Sequence, residues 1–239
     1  MINPELQLGP MQRFLFAVAC YAAGMSSLIF MFWQMQFGFQ DHASFSWIFP
    51  IWNAFLFLIF PIQHSLLARP SIKVKIQQIL PPLLERPCYV GTSGIAMWIV
   101  LLLWKPFGPE LYRFQMALPF DLIFGLSLLL IVISTIKLDH SAMFGLKQGY
   151  AAWKGMELPA AGLQTKGIYN VVRHPITSLF IVTLWSHESM TASKLLFNML
   201  FTAYAIAGTI LEELDLKKHY RQEYAEYCKR VPAFIPRLW

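Results

Sequence analysis

The sequence predicts an all-α polytopic membrane bundle of five to six transmembrane helices, closing with a C-terminal helical hairpin and a cytoplasmic tail. Three observations carry that prediction. Of 239 residues, 56% are hydrophobic and 13% charged, where a soluble domain carries about 25% charged residues. The apolar residues gather into long uninterrupted runs, six in all. The basic residues concentrate in alternate connections, the pattern that orients a chain across a bilayer.

The six runs lie near Met11–Trp33, Trp47–Leu67, Cys88–Trp104, Pro119–Lys137, Pro175–Trp185 and Ala192–Leu211. The first, second, fourth and sixth reach the roughly 20 residues that cross a bilayer. The first is too long for a signal-peptide core and has only Arg13 before it, so it reads as a retained membrane helix. Pro50 and Pro61 should interrupt the second, because each removes a backbone donor. A membrane tolerates such breaks where protein or a cavity covers the freed groups. Here His64 sits one turn after Pro61, either facing headgroups or at a buried site. The third run is slightly short, and its Gly91 and Gly94 suit close helix packing. The fifth is clearly short, and only His187–Thr191 separates it from the sixth. That pair reads as a tight hairpin, so five and six crossings both fit.

Charge sets the orientation. Arg69, Lys73, Lys75 and Arg86 fall between the second and third runs; Lys137, Lys147, Lys154, Lys166 and Arg173 fall between the fourth and fifth. After the sixth come Lys217, Lys218, Arg221, Lys229, Arg230 and Arg237. Lys105, Arg113 and Lys194 occupy the opposite side. Both termini and two loops are therefore expected in the cytoplasm, at a bacterial inner membrane, with lipid as the surroundings. The same distribution accounts for the net charge of +6 and leaves no role for nucleic acid. Cys20, Cys88 and Cys228 are odd in number and far apart, and no Cys/His zinc spacing occurs, so neither a disulfide framework nor a metal site is suggested. No glycine-rich phosphate loop follows a strand, which excludes a soluble Rossmann methyltransferase domain.

Two polar stretches can carry chemistry. The first runs from Leu163 to Thr177. Gly167 offers a backbone turn, Tyr169 a ring with a hydroxyl, and Arg173 and His174 precede Pro175. Proline suits the first helical turn, so Arg173 and His174 fall at a helix N-terminus, where free N–H groups favour an anion. An interfacial loop anchored by Arg and Tyr fits the same spacing. The second stretch follows the last apolar run. Tyr220, Tyr224 and Tyr227 share one helical face. Glu212 and Glu213 sit at the membrane boundary, where burial demands a cationic partner. Arg173 is one candidate, and a cationic ligand held also by aromatic faces is another. An ordinary amphipathic helix with a Glu213–Lys217 pair fits too.

Taken together, Gly167-Ile-Tyr169, Arg173-His-Pro175, Glu212-Glu213 and Tyr224-Ala-Glu-Tyr-Cys-Lys-Arg-Val-Pro232, with Pro236 after them, resemble the isoprenylcysteine carboxyl methyltransferase superfamily of membrane methyltransferases. Upstream, Gln63-His-Ser-Leu-Leu-Ala-Arg-Pro70, Glu85-Arg-Pro-Cys-Tyr89 and Asp139-His-Ser-Ala-Met-Phe-Gly-Leu-Lys-Gln148 are similar to its methanethiol S-methyltransferase and NnrU-like branch. The resemblance implies one integral-membrane domain, with N-terminal helices over residues 11–157 and a cofactor-binding part over 158–239. It implies S-adenosyl-L-methionine held by Gly167, Tyr169, Arg173, His174, Glu212, Glu213, Tyr224 and Arg230. Thr177 departs from the family, which usually has a tyrosine there.

The expected activity is methyl transfer to a small thiol, methanethiol giving dimethyl sulfide. A thiol of pKa about 8.5 must first lose its proton. His174, His64, Asp139 and His140 are the candidate bases, with His174 and His64 foremost, and Arg173 beside them. The alternatives are methylation of a lipid amine or a carboxyl group by the same fold, a non-catalytic NnrU-like accessory protein, and an NADPH-dependent reductase of related architecture.

Overall fold

The computed structural model describes residues 8–39, 46–159 and 162–237. Its helices, in chain order, are α1 (Pro10–Phe37), α2 (Ile48–Phe57), α3 (Ile59–Leu67), α4 (Pro70–Ile79), α5 (Glu85–Leu103), α6 (Leu118–Lys137), α7 (His140–Met143), α8 (Leu146–Lys154), α9 (Pro175–Trp185) and α10 (Ala192–Arg230). Two short strands, β1 (Glu110–Arg113) and β2 (Ser189–Thr191), pair antiparallel. Among the described residues, five helical segments are long and apolar enough to cross a membrane. The chain is a multi-pass α-helical membrane protein, as its composition predicts.

The helices form two compact units. The first holds α1 to α5 with α7 and α8, and its spine is α1 packed along α5. Small residues permit that contact: a Cβ on Gly94 would lie 2.6 Å from the Ala23 carbonyl oxygen, and one on Gly91 2.7 Å from Cys20 Sγ. The expectation of close helix packing at these glycines is borne out. The second apolar run breaks as expected, but at Leu58, between α2 and α3. Pro61 has no N–H for the Phe57 carbonyl, which loosens the turn before it. Pro50 falls in the first turn of α2 and interrupts nothing, because the first N–H groups of a helix have no intrahelical partner to lose.

The second unit packs α9 against α6 and α10. With 11 residues, α9 is about 16 Å long, roughly half the 30 Å hydrocarbon core. Strand β2 follows the end of α9, so the β1–β2 pair lies at the far end from its first turn. An all-helical reading does not anticipate it, since strands of four and three residues carry no readable periodicity. The 39 residues of α10 measure about 58 Å, so its second half projects beyond any bilayer core. Arg221 kinks it, with φ 45° and ψ −112°. That backbone matches the first central residue of a type II′ turn, a position dominated by glycine.

Candidate functional site

Local backbone chemistry brings the two polar stretches of the second unit together. Gly167 opens a 3₁₀ turn over Gly167–Asn170 with φ 65°, a left-handed conformation that glycine adopts without steric cost. The turn delivers Tyr169 to the interior, where its hydroxyl donates to the Ser134 carbonyl at 3.3 Å. Pro175 then starts α9, leaving Arg173 and His174 with free backbone N–H groups. These donate to the Pro232 and Ala233 carbonyls at 2.8 and 3.1 Å. The Ser178 hydroxyl donates to the Phe234 carbonyl at 2.9 Å, and Arg173 Nη1 to the Val231 carbonyl at 2.5 Å. Residues 231–234 thus form a strap over the first turn of α9. In the last turns of α10 the Tyr227 hydroxyl donates to the Tyr169 carbonyl.

Glu213 is the hub beneath the strap. Its Oε1 accepts from Arg173 Nε at 2.9 Å and also from Arg173 Nη2. His174 Nε2 lies 3.1 Å from the same oxygen, and the Tyr224 hydroxyl donates to it at 3.3 Å. Lys217 stands 3.7 Å from Oε2, so the expected Glu213–Lys217 pair exists as one spoke of a larger cluster. Glu212 behaves differently. Its side chain is 60% exposed against 17% for Glu213, and its Oε2 lies 3.6 Å from His174 Nδ1. Glu213 is therefore committed to internal partners, while Glu212 is open to a solute.

Burial opposes the charge of Arg173, but the bonds to Glu213 and that carboxylate's charge outweigh it and hold the guanidinium pKa above its ordinary value. Arg173 stays cationic under all physiological conditions. Burial pushes the Tyr169 phenol up, and the charge of Glu212 adds to the shift. Tyr169 is thus a neutral hydrogen-bonding ring.

These groups line a cavity of about 170 Å³. Arg173, His174 and Glu212 make its ionic end, Tyr169, Tyr220, Tyr224 and Tyr227 its aromatic wall, and Pro175, Ile176 and Thr177 of α9 its apolar-facing side. Of the residues expected at the site, Tyr169, Arg173, His174, Glu212 and Tyr224 meet here, and Glu213 anchors them from behind. Gly167 shapes the approach through its backbone. Arg230 is exposed at the end of α10. Asp139 follows α6 with φ 63°, next to Leu138 of the cavity lining.

The other two candidate bases belong to the first unit. His140 Nε2 lies 3.0 Å from the Tyr21 hydroxyl. His64 sits between two hydroxyls, with Nδ1 3.1 Å from Ser93 Oγ and Nε2 2.6 Å from the Tyr89 hydroxyl. Sequence reasoning left Tyr220 and Tyr227 out of the site, although their i, i+4, i+7 spacing with Tyr224 already put them on its face. It also missed the strap carbonyls, which no residue type announces.

The geometry can bind an organic cation and hold a proton acceptor beside it. Tyrosine faces and an accessible carboxylate attract sulfonium or ammonium groups. With the Arg173 and His174 N–H groups bonded to the strap, the charge of Arg173 and the next residues of the first turn, Ile176 and Thr177, are what the cavity offers a carboxylate. Comparison with known proteins identifies relatives over most of the chain. The chain is 33% identical over 189 residues to methanethiol S-methyltransferase 2 of Bradyrhizobium diazoefficiens, covering 78% of this chain and 73% of that protein. It is 30% identical over 187 residues to methanethiol S-methyltransferase of Mycobacterium tuberculosis, covering 77% of each. Nurim of Rattus norvegicus is 27% identical over 177 residues, 70% of this chain and 67% of its own. No family model and no solved structure matches. At this identity and coverage the chain belongs to the methanethiol S-methyltransferase family.

Proposed function

We propose that the chain is a membrane methyltransferase that uses S-adenosyl-L-methionine to convert methanethiol to dimethyl sulfide. The observation that carries this reading is the cavity in which four tyrosine rings and an exposed carboxylate face a buried histidine. The donor set fits the cofactor: tyrosine faces and Glu212 for its cationic groups, and the first turn of α9 beside Arg173 for its carboxylate. When bound, the cofactor supplies an electrophilic methyl group on a positively charged sulfur. Typical sites for molecules of its size hold roughly 300–1,000 Å³, more than the 170 Å³ seen here. Loading the donor therefore requires the lining residues to part.

His174 is the base in this mechanism. With the Nε2 proton donated to Glu213, Nδ1 keeps a lone pair facing the cavity. It takes the thiol proton and passes it to Glu212, 3.6 Å away and open to water. With the donor bound, the thiolate freed by His174 would attack the methyl group that the cofactor supplies, and the bonding pair would leave with the cofactor's sulfur. Anion and cation neutralise each other in the step, which a water-poor site favours. Arg173 holds Glu213 and the strap and so keeps His174 in its tautomer. The positive-inside distribution supports a cytoplasmic C-terminus, on the side where the cofactor is made; a reporter fused after the last residue should be active only in the cytoplasm.

The test is calorimetry of purified protein with S-adenosyl-L-methionine and its demethylated product, followed by headspace analysis after adding methanethiol. Donor binding with dimethyl sulfide release is the expected result. Donor binding without a methylated thiol would move the acceptor to another class, such as a lipid amine. Neither binding nor product would favour an accessory protein.

A further inference from the structure

Thr177 stands out among the hydroxyls of α9. Thr183 in α9 and Ser186 just after it donate to the carbonyl four residues back, at 2.8 and 2.6 Å, and Ser178 is shared between the His174 carbonyl at 3.0 Å and the strap's Phe234 carbonyl at 2.9 Å. The carbonyl four residues back is the ordinary resting place of a hydroxyl in a membrane helix. Thr177 bonds instead across to α10, with its Oγ1 3.1 Å from Thr209 Oγ1. Thr209 is buried at 4% exposure and is absent from the cavity lining, whereas Thr177 is part of it. Two hydroxyls carry two protons, and one bond between them uses one. When Thr209 donates, the Thr177 proton is free to point into the cavity, and the bond behind it polarises that hydroxyl further. Thr177 is the cavity's sole aliphatic hydroxyl among the described residues, one residue beyond Ile176 on its apolar-facing side. The other titratable or charged groups around the cavity are Arg173 and His174 before α9, Glu212 on α10 and the four tyrosines.

We propose that Thr177, backed by Thr209, is the hydroxyl that receives the acceptor sulfur and donates to the thiolate. This rests on the thiol-methylating reading above and assigns the acceptor's place within that cavity. The chemistry has two opposed effects. A donated hydrogen bond favours the thiolate over the thiol, and bonds to charged groups exceed neutral ones by enough to lower the bound thiol's pKa by about one unit. The same bond makes the sulfur less nucleophilic, with a sensitivity of about 0.4–0.5. Below the thiol's pKa the gain in thiolate dominates; above it only the loss of nucleophilicity remains. Removing the hydroxyl should therefore change kcat in opposite directions at low and high pH, which loosened packing would not do.

The experiment measures kcat against pH at saturating S-adenosyl-L-methionine and methanethiol, with dimethyl sulfide read in the headspace. The kcat profile reports groups in the loaded complex. Thr177→Val keeps the side chain's shape and removes the hydroxyl. Its inflection should move up by about one pH unit, with kcat roughly threefold lower on the acid side and roughly threefold higher on the alkaline side. Thr177→Ser should restore the wild-type profile, and Thr209→Val should give a smaller shift. Calorimetry should still show donor binding in all three, which establishes that they fold. A Thr177→Val profile that overlays the wild type, or falls evenly at every pH, overturns the proposal while leaving the methyltransferase reading in place. A wild-type protein that binds the donor and releases no dimethyl sulfide overturns that reading and this inference together.

Discussion

Two partly and fully buried histidines show how differently the two units use the same side chain. In the first unit, His64 is held by the hydroxyls of Tyr89 and Ser93, both uncharged and both able to donate or accept. In the second, His174 lies between two carboxylates, Glu213 on one ring nitrogen and Glu212 on the other. Hydroxyl partners satisfy an imidazole in either tautomer and ask nothing of its charge. Carboxylates fix the tautomer and stabilise the ring once it takes a proton. A histidine in an apolar segment is therefore no sufficient sign of catalysis. The charge of its partners separates a ring that joins helices from one that can cycle a proton.

The largest expected effect breaks this comparison directly. His174→Gln should lower kcat by roughly 10²- to 10⁴-fold, the usual contribution of a positioned acid–base group, with donor affinity nearly kept. His64→Gln should change kcat by less than about threefold and show its effect in stability, through one or two lost bonds of about 1 kcal/mol each. Steady-state headspace kinetics and thermal melts in the same detergent read both. Equal losses of kcat from the two variants would defeat the distinction.

Glu213→Gln comes next. It keeps the shape but removes the charge that organises Arg173, His174 and Tyr224. Donor affinity should fall 10- to 100-fold, or about 1.4–2.8 kcal/mol, measured by calorimetry. Glu212→Gln should act on the pH dependence of turnover more than on the fold, because Glu212 is the exposed partner. An unchanged affinity in Glu213→Gln would remove the hub from the site.

The smallest effect concerns the kink. A non-glycine residue held at φ 45° costs about 1–3 kcal/mol. Arg221→Gly should therefore leave the melting temperature unchanged or raise it. Lys218→Gly, one turn earlier in regular helix, should lower stability by about 1 kcal/mol. If both glycine variants destabilise alike, Arg221 is not strained.

The long elements were legible because a bilayer demands length and apolarity, which single residues report additively. Thus α1, α6 and the first half of α10 fall where the apolar runs predict, and α9 is as short as its run. The polar motif delivered Tyr169, Arg173, His174, Glu212 and Tyr224 to one cavity. What stayed hidden depends on backbone groups or distant pairings. Glu110 faces Thr191 across β1 and β2, a partnership that strands of four and three residues cannot announce. Pro232 and Ala233 contribute carbonyl oxygens, which every residue possesses. Arg221 occupies a glycine-like conformation without being glycine. Thr209 reads as one more small residue in an apolar helix until its neighbour across the gap is known.

The strap has a consequence for how the protein is made. Its bonds to Arg173 and His174 join backbone segments separated by about sixty residues, and Val231–Phe234 emerge from the ribosome after α10. The bundle of α6, α9 and α10 can insert and pack before the strap fixes Arg173 and His174 in place. Donor capture would then await the strap. A chain stopped after Arg230 should reach the membrane, fold through its helices and survive proteolysis there, yet fail to retain the donor. Premature termination would then yield an inserted protein without activity.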